Sequence, residues 1–191
     1  MRVLVACEES QRVAMAFRLQ GHEAFSCDIK DCSGGYPQFH IKDDAKKIAL
    51  SEKWDLIIAH PPCTYLCVAG ACKLVDKNGN IKDIQRYEEM LKAREFFMFF
   101  YELEGRVCIE NPRPMSRANL PRYSQIIQPY EFGENYSKMT MLWLKNLPPL
   151  IGSSIGNRGV FPSWCEKVSD STRRSKTFNG VANAMAMQWN F

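Results

Sequence analysis

The hydrophobic and polar positions of this chain form short apolar runs that alternate with longer amphipathic segments. Four apolar runs have the length and composition of buried strands. They are residues 2–7, 23–27, 55–59 and 106–109. Three segments repeat apolar residues at helical spacing, namely 13–19, 45–50 and 84–103. Strands that alternate with helices predict an α/β protein with a doubly wound, mostly parallel sheet and helices on both faces.

The last third of the chain departs from this alternation. Residues 124–129 and 140–144 are predicted to form late, antiparallel strands, and residues 181–189 a closing helix rich in Ala and Met. Glycine and proline predict a loop at residues 31–40 and irregular structure at 148–164. The apolar side of the longest helix is predicted to lie in the core through Met90, Phe97, Met98 and Tyr101.

The strand at residues 55–59 ends abruptly, and this ending organises the rest of the interpretation. His60 and two prolines follow it, and then Cys63. Prolines cannot continue a central strand, and they fix φ, so the thiol is aimed from a stiff loop. Open α/β sheets place their chemistry just past the carboxyl ends of strands. The alternative is that Cys63 is one more buried small hydrophobe, the usual fate of a free cysteine.

Two further strands end in polar side chains. Glu110, Asn111 and Pro112 follow the strand at residues 106–109, which repeats the organisation around Cys63. Parallel neighbouring strands would bring Glu110 near Cys63. Asp28 ends the second strand, where nucleotide-binding α/β folds hold ribose hydroxyls. A plain surface aspartate is the alternative for Asp28.

Composition limits the class of protein. The 191 residues are predicted to form one domain, and a hydrophobic content of 46% argues against disorder. No run is long enough to span a membrane, and the chain starts directly with a strand, so we expect a cytoplasmic protein. The 8 cysteines are then expected as free thiols. None of them forms a C-x-x-C pair, which argues against a metal site.

These motifs together resemble the cytosine-C5 DNA methyltransferases, most closely the compact members carried by phages. Pro61-Pro62-Cys63 is similar to the nucleophile motif of that family, and Glu110-Asn111 to its Glu-Asn motif. The stretch from Gly180 to Asn183 loosely resembles its last motif, which packs back onto the cofactor. The resemblance implies a Rossmann-like class I methyltransferase fold and, for a phage protein, a location in the host cytoplasm.

The resemblance also implies roles for individual residues. Cys63 is the nucleophile that adds to carbon 6 of cytosine, Glu110 delivers a proton at ring N3, and Asn111 orients the strand end. Contacts to the DNA substrate are expected from Pro62, Arg113, Arg173 and Arg174. The cofactor S-adenosylmethionine is expected at Cys7, Glu8, Glu9, Ser10, Asp28, Ile29, Asp44, Pro61 and Asn183.

Several positions depart from the family pattern. The first loop, at residues 9–12, has no glycine, and Cys7 stands where an aromatic residue usually stacks on adenine. Pro112 replaces a valine. For the late arginine-rich motif, the chain offers only Lys138 and the pair Arg173-Arg174.

The largest departure is a missing target-recognition domain. Only residues 145–172 are available for it, too few for an independent domain. The missing domain and the altered loop at residues 9–12 each leave one alternative open. One is C5 modification of a free pyrimidine nucleotide or a single strand. The other is a methyltransferase-like protein without catalysis that binds nucleic acid or a nucleotide.

A net charge of +4 is compatible with a polyanionic partner but does not require one. Six basic residues are predicted to form a rim beside Cys63. They are Arg113, Arg117, Arg122, Arg173, Arg174 and Lys176. The alternative is an ordinary solvated surface with no partner.

Overall fold

The computed structural model describes residues 1–153 and 160–191. Its strands are β1 (Arg2–Ala6), β2 (Glu23–Asp28), β3 (His40–Lys42), β4 (Leu56–Ala59), β5 (Val107–Pro112), β6 (Gln125–Ile127) and β7 (Thr140–Lys145). They form one sheet in the order β3-β2-β1-β4-β5-β7-β6. All neighbouring pairs are parallel except the two that β7 makes with β5 and β6. The strand order reverses between β1 and β4, where such sheets bind ligands.

Helices cover both faces of this sheet. They are α1 (Arg12–Leu19), α2 (Ala45–Ser51), α3 (Ala71–Leu74), α4 (Ile84–Glu102), α5 (Trp164–Lys167), α6 (Ser171–Ser175) and α7 (Asn179–Gln188). Helices α1 and α7 pack together on one face, and α2 and α4 pack on the other. The doubly wound, Rossmann-like α/β fold predicted from the sequence is confirmed.

The two-sided cover explains why the central strands are continuous apolar runs. A parallel sheet buried on both faces cannot alternate apolar with polar residues. In β1, Val3 and Val5 face the core formed with α1 and α7, whereas Leu4 and Ala6 face the core formed with α2 and α4. All four are fully buried. This burial holds the ends of the strands in a fixed register.

The structure corrects three details of the sequence prediction. The loop predicted at residues 31–40 is followed by an additional short strand, β3, which is paired with the end of β2. In α4, Phe100 is fully buried, whereas Tyr101 is 39% exposed and does not belong to the core. Helix α7 begins at Asn179, two residues before the predicted start, so Gly180 is helical.

The segment at residues 145–172, predicted to be too short for a separate domain, contains α5 and the beginning of α6. Residues 154–159, part of the stretch predicted to be irregular, lie outside the described residues. Within the part of the chain that the structure describes, no helix is both long and apolar enough to cross a membrane.

Candidate active site

The register between β4 and β5 places their polar ends side by side. Ala59 pairs with Ile109, so the next residues, His60 and Glu110, are neighbours. Nδ1 of His60 lies 2.9 Å from Oε2 of Glu110. One residue further, Nδ2 of Asn111 donates a buried hydrogen bond of 2.7 Å to the carbonyl oxygen of Pro61. These two contacts join the ends of β4 and β5.

The His60–Glu110 pair is almost completely buried, with side chains 11% and 9% exposed. Burial by itself lowers the pKa of His60, but the hydrogen bond and charge of Glu110, helped by Glu8, outweigh it and raise that pKa. Burial likewise opposes ionisation of Glu110, yet His60 and the nearby ammonium of Lys138 together lower the pKa of Glu110. Imidazolium facing carboxylate is therefore the favoured state of the pair.

Cys63 lies directly beyond this pair, after the buried Pro61 and the exposed Pro62. Its carbonyl oxygen accepts the backbone N–H of Cys67 at 3.1 Å, so residues 63–67 form one helical turn and both thiols lie on the same side. The hydrogen bond between the side chains of Cys63 and Cys67 raises the pKa of Cys63 and lowers that of Cys67. The charge of Glu110 also raises the pKa of Cys63. The structure thus brings Cys63, Glu110 and Asn111 together.

The end of β1 is built around a buried carboxylate. Glu8 is only 4% exposed, and its Oε1 and Oε2 accept the N–H groups of Val13 and Ala14 at 2.7 and 3.2 Å. These amides belong to the first turn of α1, which otherwise leaves them without partners. Burial raises the pKa of Glu8, although the amides and the charge of His60 act in the opposite direction. Both oxygens of this carboxylate are committed to α1.

A second loop covers the glycine-free first loop. The backbone N–H of Ser33 donates to the carbonyl oxygen of Glu9 at 2.8 Å. The amide side chain of Gln11 bonds the N–H and carbonyl oxygen of Tyr36 at 3.0 and 2.8 Å. A Cβ on Gly34 would collide with the carbonyl oxygen of Ser10 and with Gln11. The glycine that permits close backbone approach is therefore in the covering loop.

The ends of β2 and β3 hold the two aspartates expected to bind cofactor. Oδ1 of Asp28, which is half-buried, accepts the N–H of Lys30 at 3.0 Å. Asp44 is the N-cap of α2, and its Oδ1 accepts the N–H of Lys46 at 2.7 Å. Ile29 is 73% exposed beside Asp28 and offers an apolar surface. Each aspartate keeps its second oxygen free of hydrogen bonds to the described residues.

Helix α7 begins against the start of α1. Oε1 of Glu134 accepts the N–H of Gly180 at 3.0 Å, and a Cβ on Gly180 would collide with the carbonyl oxygen of Phe132. Nη1 of Arg12 donates to the carbonyl oxygen of Thr177 at 2.8 Å. Asn183 is exposed on α7. The stretch that resembles the last family motif therefore lies at the same edge of the sheet as the first loop.

No protein-family model matches the sequence, and no curated protein matches it. Among solved structures, the chain is similar to an E. coli crystal structure described as a candidate DNA modification methyltransferase encoded within a prophage. The two are 13% identical with a TM-score of 0.47, and the match covers 86% of this chain and 51% of that one. This chain thus spans about half the length of that structure.

The six basic residues do not form one continuous rim. Arg113 is exposed next to the turn of Cys63, since its carbonyl oxygen accepts the N–H of Val68 at 3.0 Å. Arg117 instead bonds the carbonyl oxygen of Gly79 at 2.6 Å, and Lys176 bonds Oγ of Ser33 at 2.8 Å. Arg122 precedes β6, the outermost strand, which β7 separates from β5, so Arg122 does not lie beside Cys63.

The remaining two arginines, Arg173 and Arg174, belong to α6. The carbonyl oxygen of Arg174 accepts Nζ of Lys138 at 2.9 Å, which links this helix to the lysine beside Glu110. The basic side chains therefore form two groups near the site, one at Arg113 and one at α6. Among the basic residues outside the His60–Glu110 pair, Lys138 is the one whose charge lowers the pKa of Glu110.

A narrow cavity of about 10 Å³, the size of one water molecule, lies between Glu110, Lys138, Thr140 and Thr177. A larger cavity of about 220 Å³ is lined by Tyr101, Val107, Trp143 and Lys145, around the beginning of β5. We place the site at the carboxyl ends of the strands, because the ionisable side chains converge there. Among the described residues, no cluster of three or more His, Cys, Asp or Glu side chains is arranged to hold a metal ion.

Sequence reasoning gave His60 no role, although His60 is the direct partner of Glu110. Register could have revealed it. His60 directly follows the apolar run of β4, and Glu110 directly follows that of β5. When two parallel strands are neighbours in a sheet, the residues that directly follow them lie side by side.

Proposed function

We propose that this protein is an S-adenosylmethionine-dependent methyltransferase that acts on C5 of cytosine in DNA, through a covalent adduct of Cys63 at carbon 6. The observation that carries this proposal is the convergence at the ends of β4 and β5. A half-buried thiol, a buried carboxyl group and an amide that holds the proline loop lie together there. Addition to a pyrimidine ring needs these groups.

Cys63 acts as the nucleophile. Carbon 5 of cytosine is unreactive until a thiolate adds to carbon 6, which makes carbon 5 electron-rich. The hydrogen bond to Cys67 and burial raise the pKa of Cys63, so the thiol loses its proton only as the bond to carbon 6 forms. Cys63 thus reacts as a thiolate at the moment when its Sγ forms the bond to the ring. At the end, carbon 5 loses its proton to a base and the bond from carbon 6 to Cys63 breaks, which restores the aromatic ring.

Glu110 acts at the base edge, where the addition places negative charge on N3. Glu110 is ionised in its pair with His60, so the proton that it delivers to N3 is the one that Cys63 loses, and its free oxygen binds the exocyclic amine. Asn111 positions the loop, because its side chain fixes the carbonyl oxygen of Pro61 at 2.7 Å. Pro62, which is exposed between Pro61 and Cys63, would contact the base.

The residues at the ends of β1, β2 and β3 fit the adenosine half of S-adenosylmethionine. A free carboxylate oxygen on Asp28 suits the ribose hydroxyls, Ile29 offers an apolar surface to adenine, and Asp44 lies beyond. When bound, S-adenosylmethionine supplies an activated methyl group. The remaining contacts are proposed for Cys7, Glu9, Ser10, Pro61 and Asn183, while Glu8 shapes the loop.

DNA is the proposed substrate, with Arg113, Arg173 and Arg174 on its phosphates. A base in a duplex must be flipped out to reach Cys63. A smaller substrate, such as a single strand or a free pyrimidine nucleotide, is the second candidate. The observation that favours it is the segment at residues 145–172, where the described part holds only short helices, α5 and α6.

The direct test is to incubate the purified protein with DNA and S-adenosylmethionine and to analyse the nucleosides by mass spectrometry. The proposal predicts 5-methylcytosine from the wild type and from Cys72→Ser, a variant at an exposed cysteine, and none from Cys63→Ser. Methyl groups on a ring nitrogen or exocyclic amine would contradict C5 chemistry. Product from free nucleotides alone would favour the second candidate. No S-adenosylmethionine binding at millimolar concentration would favour a protein without catalysis.

A further inference from the structure

Charged side chains of alternating sign cross the edge of the sheet at the proposed site. Glu8 follows β1, His60 follows β4, Glu110 lies in β5 and Lys138 precedes β7. These four strands are neighbours in the order β1-β4-β5-β7. Their charges act on one another, because His60 is influenced by all three of the other residues. This row contains one histidine between two carboxylates, with a lysine beyond.

The histidine is bound on one side only. Its Nδ1 is paired with Oε2 of Glu110 at 2.9 Å. Its Nε2 is buried and has no hydrogen-bond partner among the described residues. An ionised carboxylate only accepts hydrogen bonds, so the proton of this contact is on Nδ1. The orientation of the ring is therefore set by Glu110, and the orientation of Glu110 by the ring.

We infer that His60 is a positioning residue of the proposed active site, which fixes Glu110 through Nδ1–H···Oε2 and leaves Oε1 for the base. The reaction it serves rests on the proposed function, whereas the contact itself does not. Oε2 is the one oxygen of Glu110 with a hydrogen-bond partner in the described part of the chain. A carboxyl group anchored by one oxygen can present the other in a single direction, as positioning requires.

A purely structural pair is the competing explanation. A buried ion pair can have a structural role or a catalytic one, and removing one partner destabilises the fold in either case. The two explanations differ in what a neutral hydrogen-bond donor can replace. Asparagine has an N–H group near the position of Nδ1 but no charge, so His60→Asn keeps the anchor. His60→Ala removes the anchor as well.

The first test is nuclear magnetic resonance of the imidazole rings during a pH titration, without substrate or cofactor. The chain has only 3 histidines, so each signal can be assigned by single substitution. We expect the pKa of His60 to lie above its ordinary value of 6.5 and to fall below it in Glu110→Gln, because burial then dominates. His22, which precedes β2, serves as an internal reference that Glu110→Gln leaves unchanged. An unchanged His60 titration in Glu110→Gln would overturn the inference.

The second test measures the rate of covalent trapping by DNA that contains 5-fluorocytosine. We expect His60→Ala to slow trapping by about 10²-fold, the usual cost of a misplaced group, and His60→Asn to recover most of that loss. The wild-type rate should also depend on pH through the raised pKa of His60, and this dependence should vanish in His60→Asn. Equal rates in His60→Ala and the wild type would contradict positioning, as would equal losses in both variants.

The two tests separate this inference from the proposed function. If wild-type protein never traps, the methyltransferase proposal fails while the titration still decides whether Glu110 controls His60. If trapping occurs and the titration is insensitive to Glu110, the function stands and the inference fails. Thermal melting of each variant identifies any that does not fold. If His60→Ala does not fold, the titration of Glu110→Gln and the trapping rate of His60→Asn test the inference.

Discussion

The two halves of the sheet edge use their polar side chains in different ways. At the ends of β4 and β5, side chains bond across from one strand to the next, as in His60–Glu110 and in Asn111 with Pro61. At the ends of β1 and β2, the carboxylates bond their own local backbone. Glu8 accepts hydrogen bonds from two N–H groups in the first turn of α1, and Asp28 accepts one from the N–H of Lys30.

Under the proposed function, this difference separates a rigid catalytic half from a binding half held by local contacts. Contacts between strands inherit the fixed register of a buried sheet, so the groups at β4 and β5 are held to the accuracy that catalysis needs. Contacts within one turn are local and leave a second carboxylate oxygen free on Asp28. We therefore expect substitutions at β4 and β5 to affect rate, and those at β1 and β2 to affect stability or cofactor affinity.

The largest effect is expected for Glu110→Gln. Glutamine keeps the shape of the side chain but can neither deliver a proton nor hold a negative charge against His60. We expect the single-turnover rate of methyl transfer to fall by about 10²–10⁴-fold, the usual contribution of general acid catalysis. Cofactor affinity, measured by calorimetry, should stay unchanged. A variant with the wild-type rate would show that Glu110 takes no part in the reaction. The two halves of the sheet edge would then not differ in the way proposed.

Glu8→Ala is expected to act on stability. It leaves two amides of α1 without their acceptor, at a cost of about 1–3 kcal/mol in the free energy of unfolding by urea. Because burial raises the pKa of Glu8, the protonated form favours folding. The difference in stability between the wild type and Glu8→Ala should thus be largest below pH 4.5, the ordinary pKa of a glutamate. It should shrink as the pH rises through the raised pKa of Glu8. Glu9→Ala, the adjacent control, should cost less than about 1 kcal/mol.

The two aspartates allow a sharper distinction within the binding half. Asp28→Ala should weaken S-adenosylmethionine binding by about 1–3 kcal/mol in calorimetry, with a small effect on stability. Asp44→Ala should weaken binding and also remove the N-cap of α2, which costs about 0.5–2 kcal/mol of stability. Unchanged isotherms for both variants would mean that the cofactor is not held at this edge.

The smallest effect is expected at the basic surface. If DNA phosphates contact the site, affinity falls with salt, because each neutralised phosphate releases counterions. Arg113→Ala should reduce the slope of log K against log salt by about 1. Arg122→Ala, next to the outermost strand β6, is the matched control and should leave the slope unchanged. Binding that ignores salt would favour a free nucleotide as substrate.

The fold was predictable because its pattern is strong. Four apolar runs separated by helical segments leave few arrangements other than a doubly wound sheet. Strand β3 was missed, since residues 40–42 are at most half-buried and their strand depends on pairing with β2. Tyr101 was misplaced because α4 carries aromatic residues on several sides, which hides the core face.

The site was predictable only in part, for a related reason. Cys63, Glu110 and Asp28 can be recognised because each ends an apolar run. The partner of Glu110 depends on register, a property of two strands together, so His60 was overlooked. The covering loop that approaches through Gly34 was also unpredictable, since its contacts to Ser10 and Gln11 join segments distant in sequence. Non-local contacts are where a single sequence carries least information.

The most direct measurement of the central claim is a covalent adduct with DNA that contains 5-fluorocytosine. Fluorine at carbon 5 blocks the final elimination, so the nucleophile stays bonded to the base. In the presence of S-adenosylmethionine, we predict a stable complex whose peptide map places the adduct on Cys63. Cys63→Ser abolishes it, because a serine hydroxyl is a far weaker nucleophile than a thiolate, and the exposed Cys72→Ser control does not. An adduct on Cys67, or methyl transfer that survives in Cys63→Ser, would contradict the account.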